Sequence, residues 1–386
     1  MNSKHGYKVR KQNVVESINV SEKNDIRYDK ETVKSIIKKL NKDIEAIIAV
    51  HGLDDSEWAN AISSQYFLLS IAKNKGMKKK DYDALLNKCL SSFTVTYTGD
   101  LKLDDSKLLV TPEETTRIIE CMKQEDAEDG YYTQSGKMKS SNIDGQKMYY
   151  NYHYGLLIRI VSLEMTKIMK SLKERCLSQL FDEKALDTAG GWYPYRVPWI
   201  TGRILISLSN ACLLDDEIPD NYTKIISEAL DSLYRRINKT DPYWRSGVGT
   251  WVTKWESTAL CLEALFVQND IREEVELIIR YVCDEASMKE WICIETKFDS
   301  EEHGNAILAG VILGSVVLRI TSQYYEEYYC NNIIRILKYF EYVIEMIRDN
   351  ENTNKDVRQY CTIPQVLYYV QEALDCINIY EGGKVE

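Results

Sequence analysis

Residues 190–208 read GGWYPYRVPWITGRILISL, and residues 247–265 read GVGTWVTKWESTALCLEAL. In both stretches a glycine-rich turn and a tryptophan precede a segment that is apolar on nearly every side, which predicts a helix buried by its neighbours. When Thr201 is aligned with Thr258, the leucines that follow them coincide. A pattern that returns in register after about 60 residues indicates a repeated structural unit.

Two kinds of predicted helix alternate along the rest of the chain. Helices with an apolar stripe and a charged face, typical of a protein surface, are predicted at 31–50, 222–237, 271–283 and 324–347. Helices poor in charge, predicted to lie inside, are at 54–71, from 151 onward, and at 199–213, 255–267, 303–320 and 364–374. The alternation predicts an all-α protein of about six helical hairpins, with 1–30 a polar arm and 31–386 a single domain. A linear helical solenoid is the alternative.

Composition and charge exclude several classes of protein. The chain has 386 residues, of which 44% are hydrophobic and 28% charged, and its formal net charge is -10. An acidic balance argues against general nucleic-acid binding and against attraction to an anionic membrane. Only 18 glycines and 6 prolines are present, which disfavours a turn-rich all-β fold.

The N-terminus and the cysteines predict a cytoplasmic protein. No apolar stretch follows the basic residues at the start of the chain, so a secretory signal is not expected. The longest apolar run, 307–320, is shorter than the 18 residues of a membrane span and predicts a buried helix. None of the ten cysteines has the CxxC spacing of a zinc or redox site, so we interpret them as reduced core residues. No metal and no cofactor is expected.

The repeat of Gly-Gly-Trp or Gly-x-Trp followed by Thr-x-x-x-Leu resembles the repeats of the terpenoid cyclase and protein prenyltransferase group. Residues 190–267 carry this resemblance best, and Trp192 and Trp251 align as its tryptophans. The resemblance implies an α/α toroid, in which six hairpins close around a central cavity.

The resemblance assigns catalytic positions only in part. Asp54, in the sequence Gly-Leu-Asp-Asp-Ser, would hold the acid position of a class II cyclase, although the motif lacks its first Asp; capping of the following helix is the alternative. His303 resembles a zinc-binding His of the prenyltransferases. The chain reads Trp255-Glu256-Ser257 where their Asp-x-Cys is expected, so catalytic zinc is not predicted.

In a toroid, polar residues at the starts of the inner helices would face one mouth of the cavity. Glu256, beside an indole that would raise its pKa, and His303 and Asp54 are the candidate catalytic residues. Candidate ligand-binding residues are His153, Tyr154, Trp199, Arg203, Trp255 and Asn305. Alternatively, Arg203 and Glu256 form an ion pair between hairpins, and His153 is a core residue among tyrosines.

Three functions are consistent with these residues. The first is binding or transformation of an isoprenoid-like apolar ligand in a cavity lined by some of the 27 tyrosines and 7 tryptophans. The second is a non-catalytic module that binds a peptide or a partner protein. The third is an (α/α)6 carbohydrate-active enzyme, which needs two carboxylates around the scissile bond. The sequence does not indicate an oligomeric state.

Overall fold

The chain is all-α wherever the computed structural model describes it. The described residues are 28–52, 62–91, 155–160, 162–163, 173–174, 176–178, 180–183, 185–187, 189–192, 197–212, 220–238, 240–246, 252–292, 301–351 and 363–383. Over these ranges the only β-type pairing is one isolated bridge between Leu186 and Trp192. The prediction of an all-α protein is therefore confirmed for these residues.

Eleven bounded helices are present in the described residues, and residues 155–160 are also helical. In chain order they are α1 Lys30–His51, α2 Ile62–Asn74, α3 Lys79–Ser91, α4 Pro198–Cys212, α5 Asp220–Arg235, α6 Lys254–Val267, α7 Glu273–Val282, α8 Glu285–Trp291, α9 Glu301–Tyr324, α10 Glu326–Glu351 and α11 Ile363–Gly383. The described part of every predicted inner segment is helical. A single residue, Tyr325, separates α9 from α10.

Burial distinguishes the two kinds of helix as the patterns predicted. In α6 every residue from Trp255 to Leu265 is buried, because its apolar and small side chains contact neighbours on all sides. In α5 burial is restricted to one stripe around Ala229 and Leu233, and the opposite face is charged and exposed.

The chain forms two compact units. The central unit lies within Ser56–Val275, and the terminal unit comprises Met1–Asp55 and Glu276–Glu386. Each unit is described by itself below.

In the central unit, inner helices pack in the order in which they occur in the chain. The guanidinium of Arg159 lies 3.9 Å from the ring centroid of Tyr66, which joins the helical residues 155–160 to α2. A Cβ atom at Gly155 would lie 3.3 Å from Cγ1 of Ile204, so the same short helix also contacts α4. The next inner helix, α6, packs against α4.

In the terminal unit, the inner helices α9 and α11 run parallel. Arg319 pairs with Glu372 at 3.3 Å, and the Ser322 hydroxyl lies 3.3 Å from the Cys376 sulfur. From the first contact to the second, the residue number rises by about one helical turn on both helices. The two helices therefore run parallel. Because consecutive inner helices run parallel, an antiparallel outer helix, α10, connects them.

The first described helix packs along the last outer helix. Lys39 of α1 forms ion pairs with Glu341 and Glu345 of α10, and Arg348 of α10 donates to Asp43 at 2.7 Å. These contacts bring the start of the described chain against its C-terminal hairpin within the terminal unit.

The apolar helix α9 includes a stretch, Gly304–Tyr324, that is long and apolar enough to cross a membrane. Of its most apolar window, 89% is buried inside the protein, as in a core helix. The run is longer than the sequence analysis expected, because the helix continues on both sides of 307–320. The absence of a membrane span stays a prediction.

Three buried tryptophans make the same contact in successive hairpins. Each indole N–H donates to a main-chain carbonyl near the end of the preceding helix: Trp192 to Leu180 at 2.7 Å, Trp244 to Leu233 at 2.8 Å, and Trp291 to Val282 at 2.8 Å. The carbonyls at a helix end have no partner within the helix. These indoles therefore cap outer helices and fix the turn toward the next inner helix.

The tryptophan equivalent to Trp192 is Trp244 and not Trp251. The main-chain N–H of Trp192 donates to Oγ1 of Thr201, and that of Trp244 donates to Oγ1 of Thr258. The alignment of the two threonines is therefore confirmed, whereas that of the tryptophans is wrong. The tryptophan and the threonine are 9 residues apart in one hairpin and 14 apart in the next. An alignment that assumes similar loop lengths in both hairpins therefore selects Trp251 in place of Trp244. Trp251 lies outside the described residues.

The two glycines before Trp192 are required by the backbone. Gly190 and Gly191 have φ values of +94° and +87°, a region that disfavours residues with a side chain. A Cβ atom at Gly191 would lie 2.9 Å from Oγ1 of Thr201. The Gly-Gly-Trp motif therefore forms a turn that leaves room for the start of α4.

Candidate functional site

Three of the predicted site residues meet near the starts of α4 and α6. α4 begins at Pro198, a residue favoured at the first helical position, and places Trp199 and Arg203 one turn apart. α6 begins after Thr253, whose hydroxyl accepts from the main-chain N–H of Glu256 at 3.1 Å. Glu256 therefore lies in the first turn of α6 and faces the turn of α4 that carries Arg203.

Arg203 and Glu256 form a buried ion pair between the two helices. Nη2 of Arg203 donates to Oε1 of Glu256 at 2.9 Å, and their side chains are 13% and 6% exposed. The guanidinium lies 5.6 Å from the ring of Trp199. The structure therefore confirms the ion pair that the sequence offered as an alternative. Both charged groups are largely shielded from water.

Burial changes the proton affinity of Glu256. Desolvation raises the pKa of this carboxyl above its ordinary value of 4.5, and the charge and hydrogen bond of Arg203 oppose that rise. The direction agrees with the prediction from the neighbouring indole. Glu256 retains a proton more readily than an exposed glutamate, and Arg203 favours its ionised form.

Close backbone approach fixes the distance between the two helices. A Cβ atom at Gly202 would lie 3.0 Å from the carbonyl oxygen of Leu260, so only glycine permits this spacing. At the other end, the Ser209 hydroxyl donates to the carbonyl of Val267 at 3.1 Å. The two contacts occur in the same order along both helices, so α4 and α6 are parallel and both N-termini lie at the end where Arg203 and Glu256 meet.

Trp255, the residue before Glu256, has a cation of its own. The ammonium of Lys254 lies 4.5 Å from a Trp255 ring centroid and 5.6 Å from that of Tyr243. A cation within about 6 Å of a ring face is attracted to it. Aromatic surface and positive charge therefore occur together where α6 begins.

The remaining predicted residues lie in the terminal unit or outside the described residues. Asn305 is partly exposed on α9 in the terminal unit, and His303 lies in the first turn of the same helix. Asp54, His153 and Tyr154 lie outside the described residues. Their roles stay predictions.

Sequence reasoning missed three further buried charges. Arg159, Glu263 and Arg319 are 4%, 2% and 6% exposed, each on a predicted inner helix. A signal was present, because each is a single charge inside an apolar run: LLIRIV, CLEAL and VVLRIT. A charge in such a run is buried with its helix and needs polar neighbours. Arg319 has one in Glu372, across the parallel pair α9 and α11.

Metal-binding groups do not cluster in the described ranges. No three His, Cys, Asp or Glu side chains converge there. The six cysteines described are all free thiols, and three of them, Cys89, Cys176 and Cys261, are buried.

Comparison of the chain with protein families, curated proteins and solved structures gives no match. The similarity to the terpenoid cyclase and prenyltransferase group therefore depends on the repeat pattern alone. What the site does has to be argued from its own residues.

Proposed function

We propose that this chain is an α/α toroid that binds an isoprenoid-like apolar ligand, with the polar end of the ligand at Arg203 and Glu256. The proposed binding residues beside them are Trp199 and Trp255. The observation that carries the proposal is the burial of a complete ion pair between two inner helices, next to the indole of Trp199, at the end where both helices begin.

Ring closure is supported by the contacts of α1. In a linear solenoid, each repeat contacts only its neighbours, so the first helix would be far from the last. Here α1 packs along α10, and Lys39 and Asp43 supply its ion pairs. A closed ring of hairpins accounts for such a contact between the first and last parts of the chain.

An ion pair at this place favours ligand binding over a purely structural role. Replacing a buried ion pair by apolar residues is often neutral or stabilising, so such a pair is weak evidence for stability. A guanidinium and a carboxyl beside aromatic rings offer a ligand both donors and acceptors at the edge of an apolar surface. We assign no chemical step to Glu256, because Arg203 already engages its carboxylate.

That engagement also favours the second candidate, a non-catalytic binding module. A carboxylate held by a guanidinium at 2.9 Å retains a proton less readily than an isolated buried glutamic acid does, so it is less often available as a general acid. The same site then serves recognition without turnover. Under both candidate functions we place the protein in the cytoplasm, because its six described cysteines are free thiols.

Native mass spectrometry of the purified chain, followed by denaturing release, tests the proposal directly. We expect a bound apolar molecule of isoprenoid mass. Tryptophan fluorescence titration with prenyl diphosphates and prenyl alcohols then measures affinity, since Trp199 and Trp255 are the proposed contacts. Glu256→Gln should lose binding without unfolding, whereas Glu273→Gln, on the exposed first turn of α7, is the matched control.

The outcomes separate the candidates. An empty chain that binds none of these probes would exclude the isoprenoid-like ligand. A co-purifying polypeptide at fixed stoichiometry would select the binding module. Full binding by Glu256→Gln would remove Glu256 from the site.

A further inference from the structure

A dense group of positive charges lies in the turn between α2 and α3, within the central unit. Five lysines fall within eight residues there, and all five are exposed: Lys73, Lys75, Lys78, Lys79 and Lys80. We name these five residues the lysine turn. The chain as a whole has a net charge of -10, so the lysine turn is opposite in sign to the protein that carries it.

Main-chain hydrogen bonds fix the backbone of the lysine turn. Gly76, at φ +70°, ends α2 in the left-handed conformation, and the N–H of Met77 donates back to the carbonyl of Ala72 at 3.0 Å. The Lys73 ammonium, at the end of α2, donates to the main-chain carbonyl of Leu163. A Cβ atom at Gly76 would meet nothing within 4 Å, so the turn faces open solvent. The lysines are therefore carried by a defined and accessible segment of backbone.

The start of α3 is a place where positive charge weakens a helix. The positive end of the helix dipole lies there, so acidic side chains are favoured and lysines are not. The carbonyl of Lys78 accepts from the N–H of Tyr82 at 2.9 Å, which makes Lys78 the N-cap residue, yet its side chain cannot accept a capping hydrogen bond. Lys79 and Lys80 follow in the first turn, beside Asp81. The stability of α3 therefore does not explain these three lysines.

The described structure neutralises only part of this positive charge. Lys79 pairs with Asp83 on its own helix at 3.0 Å, and both side chains are exposed. Lys78 and Lys80 form no ion pair within the described residues. Residues 73–83 hold five lysines and two aspartates, a net charge of +3, so the rest of the chain carries -13 of the total of -10.

The residue types of the lysine turn favour the carboxylates of a peptide over nucleic acid or lipid. Residues 73–81 contain no arginine and no aromatic side chain, so they offer neither the planar fork that binds phosphate nor a surface on which bases stack. A lysine ammonium is a point charge that can pair with a carboxylate from many directions. A DNA duplex or an anionic membrane is a continuous negative surface, which the acidic remainder of the chain repels. A short acidic peptide contacts the turn alone.

We propose that the lysine turn binds an acidic segment of a partner protein, in which several Asp or Glu side chains occur close together. Each carboxylate pairs with one exposed ammonium. A single exposed ion pair contributes little, but several that form together also speed the encounter of the two proteins. The proposal does not depend on the ligand proposed for Arg203 and Glu256.

Fluorescence anisotropy of a labelled octaglutamate peptide, titrated with the full chain, measures this binding. Five exposed ion pairs that contribute up to about fivefold each predict a dissociation constant on the order of 300 µM at about 20 mM salt. The affinity should fall steeply toward about 200 mM salt, because exposed charges are screened.

The double variant Lys78→Asp/Lys80→Glu separates binding from stability. It should weaken binding of octaglutamate by about tenfold or more, because two attractions become repulsions. It should also raise the melting temperature, because an acidic N-cap and first turn stabilise α3. The matched control is Lys38→Asp/Lys42→Glu on the exposed face of α1, which changes the net charge by the same amount and should alter the affinity by less than about twofold.

Four results would overturn the proposal. The first is a native chain that does not bind octaglutamate at about 20 mM salt. The second is full binding by Lys78→Asp/Lys80→Glu, and the third is an equal loss in the control variant, which would mean that the peptide responds to net charge alone. The fourth is tighter binding of a DNA duplex or of phosphatidylserine vesicles, lost in the turn variant, because the partner would then be nucleic acid or lipid.

Discussion

Removing Arg203 should destabilise the protein far more at neutral pH than at acidic pH. Arg203→Met keeps most of the aliphatic stem and deletes the guanidinium that holds Glu256 at 2.9 Å. Loss of one partner from a buried ion pair leaves an uncompensated charge and costs about 3–5 kcal/mol. Both side chains are nearly inaccessible, so water does not replace the lost contact.

The pH dependence follows from the pKa of Glu256. Burial raises this pKa above 4.5, and without Arg203 the rise is larger, because Arg203 opposes it. The folded variant then binds a proton that the unfolded chain releases near pH 4.5. Its stability is therefore greatest below that pH and falls as the pH rises toward the folded-state pKa. The cost of Arg203→Met should be smaller at about pH 5 than at pH 7.

Urea denaturation, followed by tryptophan fluorescence, measures both effects. Glu256→Gln leaves the Arg203 guanidinium without its counter-charge but keeps a hydrogen-bond acceptor for it, so it should cost less than the about 3–5 kcal/mol expected when a partner is lost outright. The double variant should cost less than the sum of the two single variants, since the residues are in contact. A cost for Arg203→Met below about 1 kcal/mol, or one that is equal at both pH values, would refute the view that these charges are buried and coupled.

Three further substitutions test the packing of the central unit. Gly202→Val should lower stability by about 1–3 kcal/mol, because a Cβ there would lie 3.0 Å from the Leu260 carbonyl; an unchanged melting temperature would argue against the close approach. Trp244→Phe leaves the Leu233 carbonyl without its indole donor and should cost about 1–3 kcal/mol in urea denaturation; a smaller loss would mean that water replaces the donor. Tyr234→Phe removes a hydroxyl that accepts from the main-chain N–H at 272, and should cost about 1 kcal/mol by thermal denaturation; no loss would show that this hydrogen bond does not hold the loop before α7.

Hydropathy pattern was sufficient to locate most of the helices, although not α3 or α8, and it did not align the repeats. The segments 199–213 and 255–267 were predicted as inner helices, and the structure has helices at Pro198–Cys212 and Lys254–Val267. The pattern succeeds because a helix that is apolar on all sides needs neighbours on all sides. It failed at Trp251, because loop length varies between hairpins and the hydrogen bonds that define the repeat are not visible in a one-dimensional spacing.

The candidate site was predictable as a set of residues, and its Arg203–Glu256 ion pair only as one of two interpretations. The position of Glu256 in a first helical turn and the one-turn spacing of Trp199 and Arg203 follow from the sequence, since both are local properties of a helix. That Arg203 reaches Glu256, 53 residues away, is decided by the parallel packing of α4 against α6. Hydrophobic periodicity shows which face of a helix is buried, but not which helix covers it.

The sequence alone therefore determined that this protein is helical, that its helices alternate between inner and outer kinds, and that a turn of two glycines precedes α4. Tertiary structure alone decided that Trp244 replaces Trp251 in the repeat and which polar neighbour a buried charge meets, such as Glu372 for Arg319. It also decided that Leu277 is left exposed on α7. The physical reason is that helix formation and capping depend on residues a few positions apart, whereas the burial of a charge and the pairing of two helices depend on residues that only the folded chain brings together.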